Sequence, residues 1–316
     1  MTSGKEIGRI NRAARGRRLA RKMLEHWQLY LMALPALAYI LLFVYKPMYG
    51  IIIAFKNYKF KLGILGSKWV GLSNFRRLLE SYWFPIILRN TLTLSGLSLL
   101  IGFPVPIILA LMVNEVQREA PKRLFQTVSY APHFISTVVV CGMIQIFLSP
   151  SSGIINNLIE RLGGQAVYFM QDARLFKWIY VISGIWQEAG WGAIIYFAAL
   201  SGVDKALIEA SQIDGASRMQ RIRYVNLPML TPTILVMLIL RCGSLLSVGY
   251  EKVYLLQNST NLTGSEIIST YVYKVGLESS DFSFSTATNL LNSLVNCVIL
   301  ISVNFLASRL TETSLW

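Results

Sequence analysis

The sequence predicts an all-α membrane protein that crosses the bilayer six times. Of its 316 residues 54% are apolar and only 15% charged, well below the quarter usual in soluble domains. Six nearly uncharged runs are long enough to approach or exceed the about 20 helical residues that cross the hydrocarbon core. Lysine and arginine gather between these runs, so the net charge of +14 reads as a lipid and topology signal. A nucleic-acid surface would instead interleave basic and aromatic residues on an amphipathic stretch, and none occurs.

The runs lie near 27–45, 91–113, 124–149, 178–203, 224–248 and 287–307. The fourth carries one acid, Glu188, and the fifth one base, Arg241. A further apolar piece, PMYGIIIAF at 47–55, is too short to span and is expected at an interface or as an extension of the first helix. Ala36-Leu37-Ala38 has the look of a signal-peptide cleavage site, but seven more apolar positions follow it, which excludes that reading. Pro35, Pro104, Pro106, Pro132, Pro228 and Pro232 interrupt the runs. Broken backbone at membrane depth is tolerated where it is buried in protein or lines a watery cavity.

Charge sets the direction. With the N-terminus inside, residues 1–26, 114–123, 204–223 and 308–316 hold sixteen of the thirty lysines and arginines, against twelve in the opposite loops. Half of the sixteen are Lys5, Arg9, Arg12, Arg15, Arg17, Arg18, Arg21 and Lys22, a cluster suited to anionic lipid. The organisation expected is a basic cytoplasmic segment over 1–26, then one six-helix domain over 27–316 with both termini inside.

Cys141, Cys242 and Cys297 fall in or beside apolar runs with no CxxC spacing, and are read as buried, inert thiols. Two histidines, His26 and His133, are too few for a histidine-ligated metal site. His133 is read as a core histidine satisfied by a neighbouring helix.

One polar island stands out: EASQIDGASRMQRIRYVNLP, residues 209–228, with three arginines and two acids between two spans. Asp204 is placed to cap a helix, and Val203, Ala206, Leu207, Ala210 and Ile213 recur at helical spacing. Gly215 supplies the residue that takes φ > 0 at a helix end. Ser217 and Gln220 have the spacing of a capping box for a second short helix ending near Tyr224, with Pro228 opening the next span. Such an element suits a rigid lever docked on another protein, or else an interfacial loop with no partner.

The order Glu209-Ala210, Asp214-Gly215-Ala216 and Leu227-Pro228 resembles the cytoplasmic EAA loop of permease subunits in binding-protein-dependent ABC importers, with Ser211 standing for the third small residue. The segments at 248–277 and 281–293 and the terminal ETSLW resemble the oligosaccharide and polysaccharide branch of that family, which includes aldouronate, lipopolysaccharide-type and alginate importers. The resemblance implies an inner-membrane permease fold of the maltose-permease type. It also implies that Glu209, Ala210, Asp214, Gly215 and Ala216, within a coupling loop at about 204–224, seat in a cleft of an ATPase. Its partners would be a second, similar permease, two cytoplasmic ATPases carrying ATP and Mg, and an extracytoplasmic sugar-binding protein.

This chain has no GxxxxGK[ST] and no LSGGQ-like run; GILGSK at 63–68 matches neither. No cofactor, nucleophilic triad or paired carboxylate site is expected, so the chain reads as a transporter and not as an enzyme. Ionisable groups within spans usually face a bundle interior or an aqueous cavity. Glu188 and Arg241 either pair with each other or line the substrate pathway, where the guanidinium fork suits a carboxylate. Trp186, Gln187, Trp191 and Tyr250 are further candidates for the pathway, since sugars stack on aromatic faces, although Trp and Tyr also gather at membrane interfaces. An ATP-independent secondary transporter or channel is the rival reading.

Overall fold

The computed structural model describes residues 25–116 and 118–310. The basic cluster from Lys5 to Lys22 and the terminal ETSLW lie outside the described residues. Helices dominate. We number them α1 (Trp27–Phe55), α2 (Ser73–Leu79), α3 (Trp83–Asn114), α4 (Glu119–Phe134), α5 (Thr137–Phe147), α6 (Ile154–Arg161), α7 (Ala173–Ser201), α8 (Lys205–Ile213), α9 (Arg218–Gly243), α10 (Tyr250–Leu256), α11 (Ile268–Tyr273) and α12 (Phe282–Leu310). One two-stranded ribbon, β1 (Lys56–Asn57) against β2 (Lys68–Trp69), is antiparallel with Lys56 opposite Trp69.

Among the described residues four helices, α1, α3, α9 and α12, are long and apolar enough to cross a membrane unaided. Two bent pairs bring the number of spans to as many as six: α4 with α5 at 95°, and α7 with α8 at 80°. The third expected run is therefore an elbow. Pro132 restricts the backbone there, and Ser136 starts a new helix by accepting the Val139 N–H at 3.4 Å. PMYGIIIAF extends α1 as a tighter 3₁₀ segment, Tyr49–Phe55.

Proline shapes three spans in one way. Wide π turns occupy Leu41–Tyr45, Ser98–Gly102 and Ile222–Asn226. Each is centred on the residue four positions before a proline: Phe43 before Pro47, Leu100 before Pro104, Tyr224 before Pro228. Proline offers no N–H to that carbonyl and its ring crowds it, so widening the turn keeps the helix continuous. Hence Pro228 does not open a span. It sits inside α9, which runs unbroken from the island to Gly243 and absorbs the second short helix expected before it.

The bundle packs in two clusters. At the island end Ile107, Ala110 and Leu111 of α3 meet Ala193, Tyr196 and Leu200 of α7 and Leu230 of α9. At the far end Leu94 and Phe176 meet Cys141, Val253, Leu256 and Ile267. Helices α4 and α7 touch backbone to backbone, since a Cβ at Gly190 would stand 2.0 Å from the Ser129 carbonyl oxygen. Cys141 is buried as expected, but Cys242 is half-buried and Cys297 exposed on the outer face of α12. No residue from 27 to 48 is buried in this chain.

Candidate functional site

The island is built from local hydrogen bonds. Asp204 caps α8 by accepting the Ala206 N–H at 2.9 Å. At its other end Gly215 takes φ +75°, its N–H donates to Gln212 O at 3.0 Å, and the Ala216 N–H reaches Ser211 O at 2.9 Å. This pair of bonds is the Schellman closure, which requires a residue tolerant of the left-handed region. Ser217 and Gln220 then form a reciprocal capping box, with Ser217 N–H to Gln220 Oε1 at 2.7 Å and Gln220 N–H to Ser217 Oγ at 3.4 Å.

What ties this elbow to the bundle is an ion pair that the sequence reading missed. Arg221 Nη2 lies 2.7 Å from Glu115 Oε2, with side chains only 12% and 14% exposed. Arg221 Nη1 also donates to Ala216 O at 3.1 Å, and the buried Asn226 donates to Glu115 Oε1 at 3.1 Å. Glu115 follows the last turn of α3, so one carboxylate joins α3, the glycine bend and the start of α9. Ile208 and Ile222 pack on the bundle core. The opposite side of α8 is uncovered: Leu207, Glu209, Ala210 and Ile213 are exposed, Ile213 at 86%. Asp214 is exposed beside it and Ala216 half-buried.

A second feature lies between the two core clusters, a cavity of about 490 Å³ walled by α3, α7, α9 and α10. That volume is within the range of small-molecule sites. Glu188, Gln187, Trp191 and Arg241 line it; so do Lys252 and Glu251, which the sequence reading did not single out. Glu188 does not pair with Arg241. Its Oε2 lies 3.0 Å from His133 Nδ1, and the His133 ring stacks on Trp191 at 4.4 Å. His133 is thus satisfied by a neighbouring helix.

Gln187 is buried and donates to Ile135 O at 3.1 Å, closing the break between α4 and α5. Trp186 points away from the cavity, into an apolar groove of about 520 Å³ between α5, α6 and α7. Helical geometry accounts for this, because adjacent residues on a helix face about 100° apart. Tyr250 packs with Tyr254 and Tyr273 at 5.7 and 4.9 Å and borders a separate pocket.

Arg241 occupies the last turn of α9, not the middle of a span. The chain then runs non-helical from Ser244 to Gly249, and side chains of other helices satisfy it. Ser95 of α3 donates to Leu245 O, Asn296 of α12 accepts the Leu246 N–H at 2.9 Å and donates to Ser247 Oγ at 3.0 Å, and Ser269 of α11 donates to Val248 O at 3.3 Å. Beyond it, the buried carboxylate of Glu266 is held by Lys274 at 2.5 Å and Thr270 at 2.8 Å.

Known proteins share this architecture. Over 300 residues the chain is 44% identical to the polygalacturonan/rhamnogalacturonan transport system permease protein YteP of Bacillus subtilis, covering 95% of this chain and 94% of the relative. It is 42% identical to Protein LplB of the same organism over 288 residues, 91% of each. A chain of a bacterial alginate ABC transporter, solved in complex with an alginate pentasaccharide-bound periplasmic protein, superposes with a TM-score of 0.87 at 42% identity, over 94% of this chain and 100% of that one. The model of the binding-protein-dependent transport system inner membrane component matches residues 102–312. The chain belongs to that family and is an ABC importer permease.

Proposed function

We propose that this chain forms half of the translocation pathway of an ATP-driven importer for acidic oligosaccharides or polysaccharide fragments, in the bacterial inner membrane with both termini cytoplasmic. It works beside a second, similar permease. Two cytoplasmic ATPases bind ATP and Mg, and an extracytoplasmic binding protein delivers the sugar. Glu209, Ala210, Asp214, Gly215 and Ala216 form the contact to the ATPase, and closure of the ATPases moves α3 and α9 together through Glu115 and Arg221. Arg241, Glu188, Gln187 and Trp191 belong to the pathway. Trp186 and Tyr250, which face elsewhere in this chain, serve its packing.

The observation that carries this reading is the uncovered apolar and acidic face of α8, a helix capped at both ends and followed by a bend that Arg221, ion-paired to Glu115, ties to the bundle. The acidic sugar class is supported by the relatives that transport polygalacturonan or alginate and by Arg241 at the cavity.

The test is reconstitution of the complete complex in liposomes with its binding protein. Uptake of tetragalacturonate or an alginate tetrasaccharide should require ATP inside the ATPase-facing compartment and should persist when the proton gradient is collapsed. Uptake that survives removal of ATP while following the proton gradient would establish the secondary transporter instead.

A further inference from the structure

We propose that Lys252 is the carboxylate anchor of the cavity, a specificity residue that holds the acidic group of a sugar while it passes. The proposal rests on the reading of the cavity as the sugar pathway. Lys252 is 8% exposed, it lines the cavity, and its ammonium is buried with no hydrogen-bond partner among the described residues. Around it stand the Tyr180 ring, 5.6 Å from Nζ, and α7 at Gly184, where an added Cβ would stand 3.8 Å from Nζ, with Cys141 and Glu188 close enough to act on its charge.

A buried cation without a partner is costly, and native proteins pair such groups or give them a ligand. The other charges at the cavity do not supply that partner. Glu188 gives one carboxylate oxygen to His133 and acts on Lys252 only through space, with no hydrogen bond to it, and no hydrogen bond joins the Lys252 ammonium to Glu251, its neighbour in sequence. The aromatic face of Tyr180 steadies an ammonium but cannot accept its three hydrogen bonds. A carboxylate entering the cavity can, and the flexible four-carbon stem lets the ammonium turn to meet it. Arg241 in the same wall leaves room for a second contact to the same sugar or the next one along. Helix α10 is itself fixed, since Gln145 of α5 donates to Leu255 O at 3.0 Å, so the lysine is presented from a held backbone.

The test uses the complete complex in proteoliposomes with its binding protein, comparing tetragalacturonate with its fully methyl-esterified, neutral form, each at saturating loading of the binding protein. Lys252→Met keeps the stem and removes the charge; Lys252→Arg keeps the charge. In Lys252→Met the ratio of acidic to neutral uptake should fall about tenfold to a hundredfold, as loss of one hydrogen bond to a charged group implies. Lys252→Arg should hold that ratio within about threefold. Because Met removes an unpaired buried charge, its complex should assemble and melt at least as well as wild type.

An unchanged ratio in Lys252→Met overturns the proposal and leaves the substrate class standing. A Lys252→Met complex that fails to assemble, while Lys252→Arg assembles, also overturns it, since the lysine then serves a protein carboxylate. A wild-type complex that takes up only the neutral ester removes the acidic-sugar reading and this inference with it.

Discussion

The elbow from Asp204 to Asn226 and the break from Ser244 to Gly249 both interrupt the helical order of the fourth and fifth spans, yet they are stabilised in opposite ways. In the elbow, the caps come from residues within five positions of the groups they satisfy: Asp204 for Ala206, Ser211 and Gln212 for the glycine bend, Ser217 for Gln220. In the break, Ser95, Asn296 and Ser269 arrive from α3, α12 and α11. The first is a self-contained rigid body that a partner can push. The second exists only when the whole bundle is assembled, and it forms one edge of the cavity.

The contrast predicts a graded series in folding free energy. The largest effect belongs to the long-range ion pair of the elbow. Arg221→Met leaves Glu115 buried without its cation and should cost about 3–5 kcal/mol; adding Glu115→Gln should restore part of it. Thermal unfolding of the purified complex reads both, and equal melting of the single and double variants would deny the coupling. Next comes the break. Asn296→Leu strands the Leu246 N–H inside the bundle, a loss of about 1–3 kcal/mol. It should alter cavity-dependent uptake while leaving ATPase binding as in wild type. If ATPase binding is lost instead, the two regions are not separable.

The smallest change in stability is expected at Gly215. Nothing stands within 4 Å of a Cβ built there, so substitution meets no clash and only the φ of +75° resists it. A β-branched residue in that region costs about 1–2 kcal/mol. Gly215→Val should therefore insert and fold, yet re-angle α8 and reduce uptake and substrate-stimulated ATP hydrolysis more than tenfold. Gly215→Asn, which tolerates the left-handed region, should keep most of both. Equal activity of Val and Asn variants would show that the bend does not transmit force.

The same contrast explains what the sequence disclosed. Asp204, Gly215 and the Ser217–Gln220 box were readable because their partners are sequence neighbours with fixed spacing. The exposed stripe of Leu207, Ala210 and Ile213 was readable from helical periodicity. Glu115 was hidden, being an acid at the end of one span whose partner lies 106 positions away. The termination of α9 at Gly243 was hidden for a similar reason. SLLSVG carries neither proline nor a cap signal strong enough to stop an apolar helix, and side chains of three other elements open the backbone there. Arg241, expected within a span running to 248, consequently sits in the last turn of a helix that ends at Gly243, and Tyr250 opens a short helix of its own. Lys252 passed unnoticed because lysine between two spans ordinarily lies in water, and only the folded chain turns it inward.

The elbow's outward face allows the most direct measurement of force transmission to an ATPase. Ile213→Cys, in a chain with Cys141, Cys242 and Cys297 replaced by serine or alanine, can be probed with a membrane-impermeant maleimide in inside-out and right-side-out vesicles. The account predicts rapid labelling in inside-out vesicles stripped of ATPase, protection when the ATPase subunits are added back, and no labelling from the outside. Labelling that is indifferent to the ATPases, or that proceeds from the outer face, would contradict it.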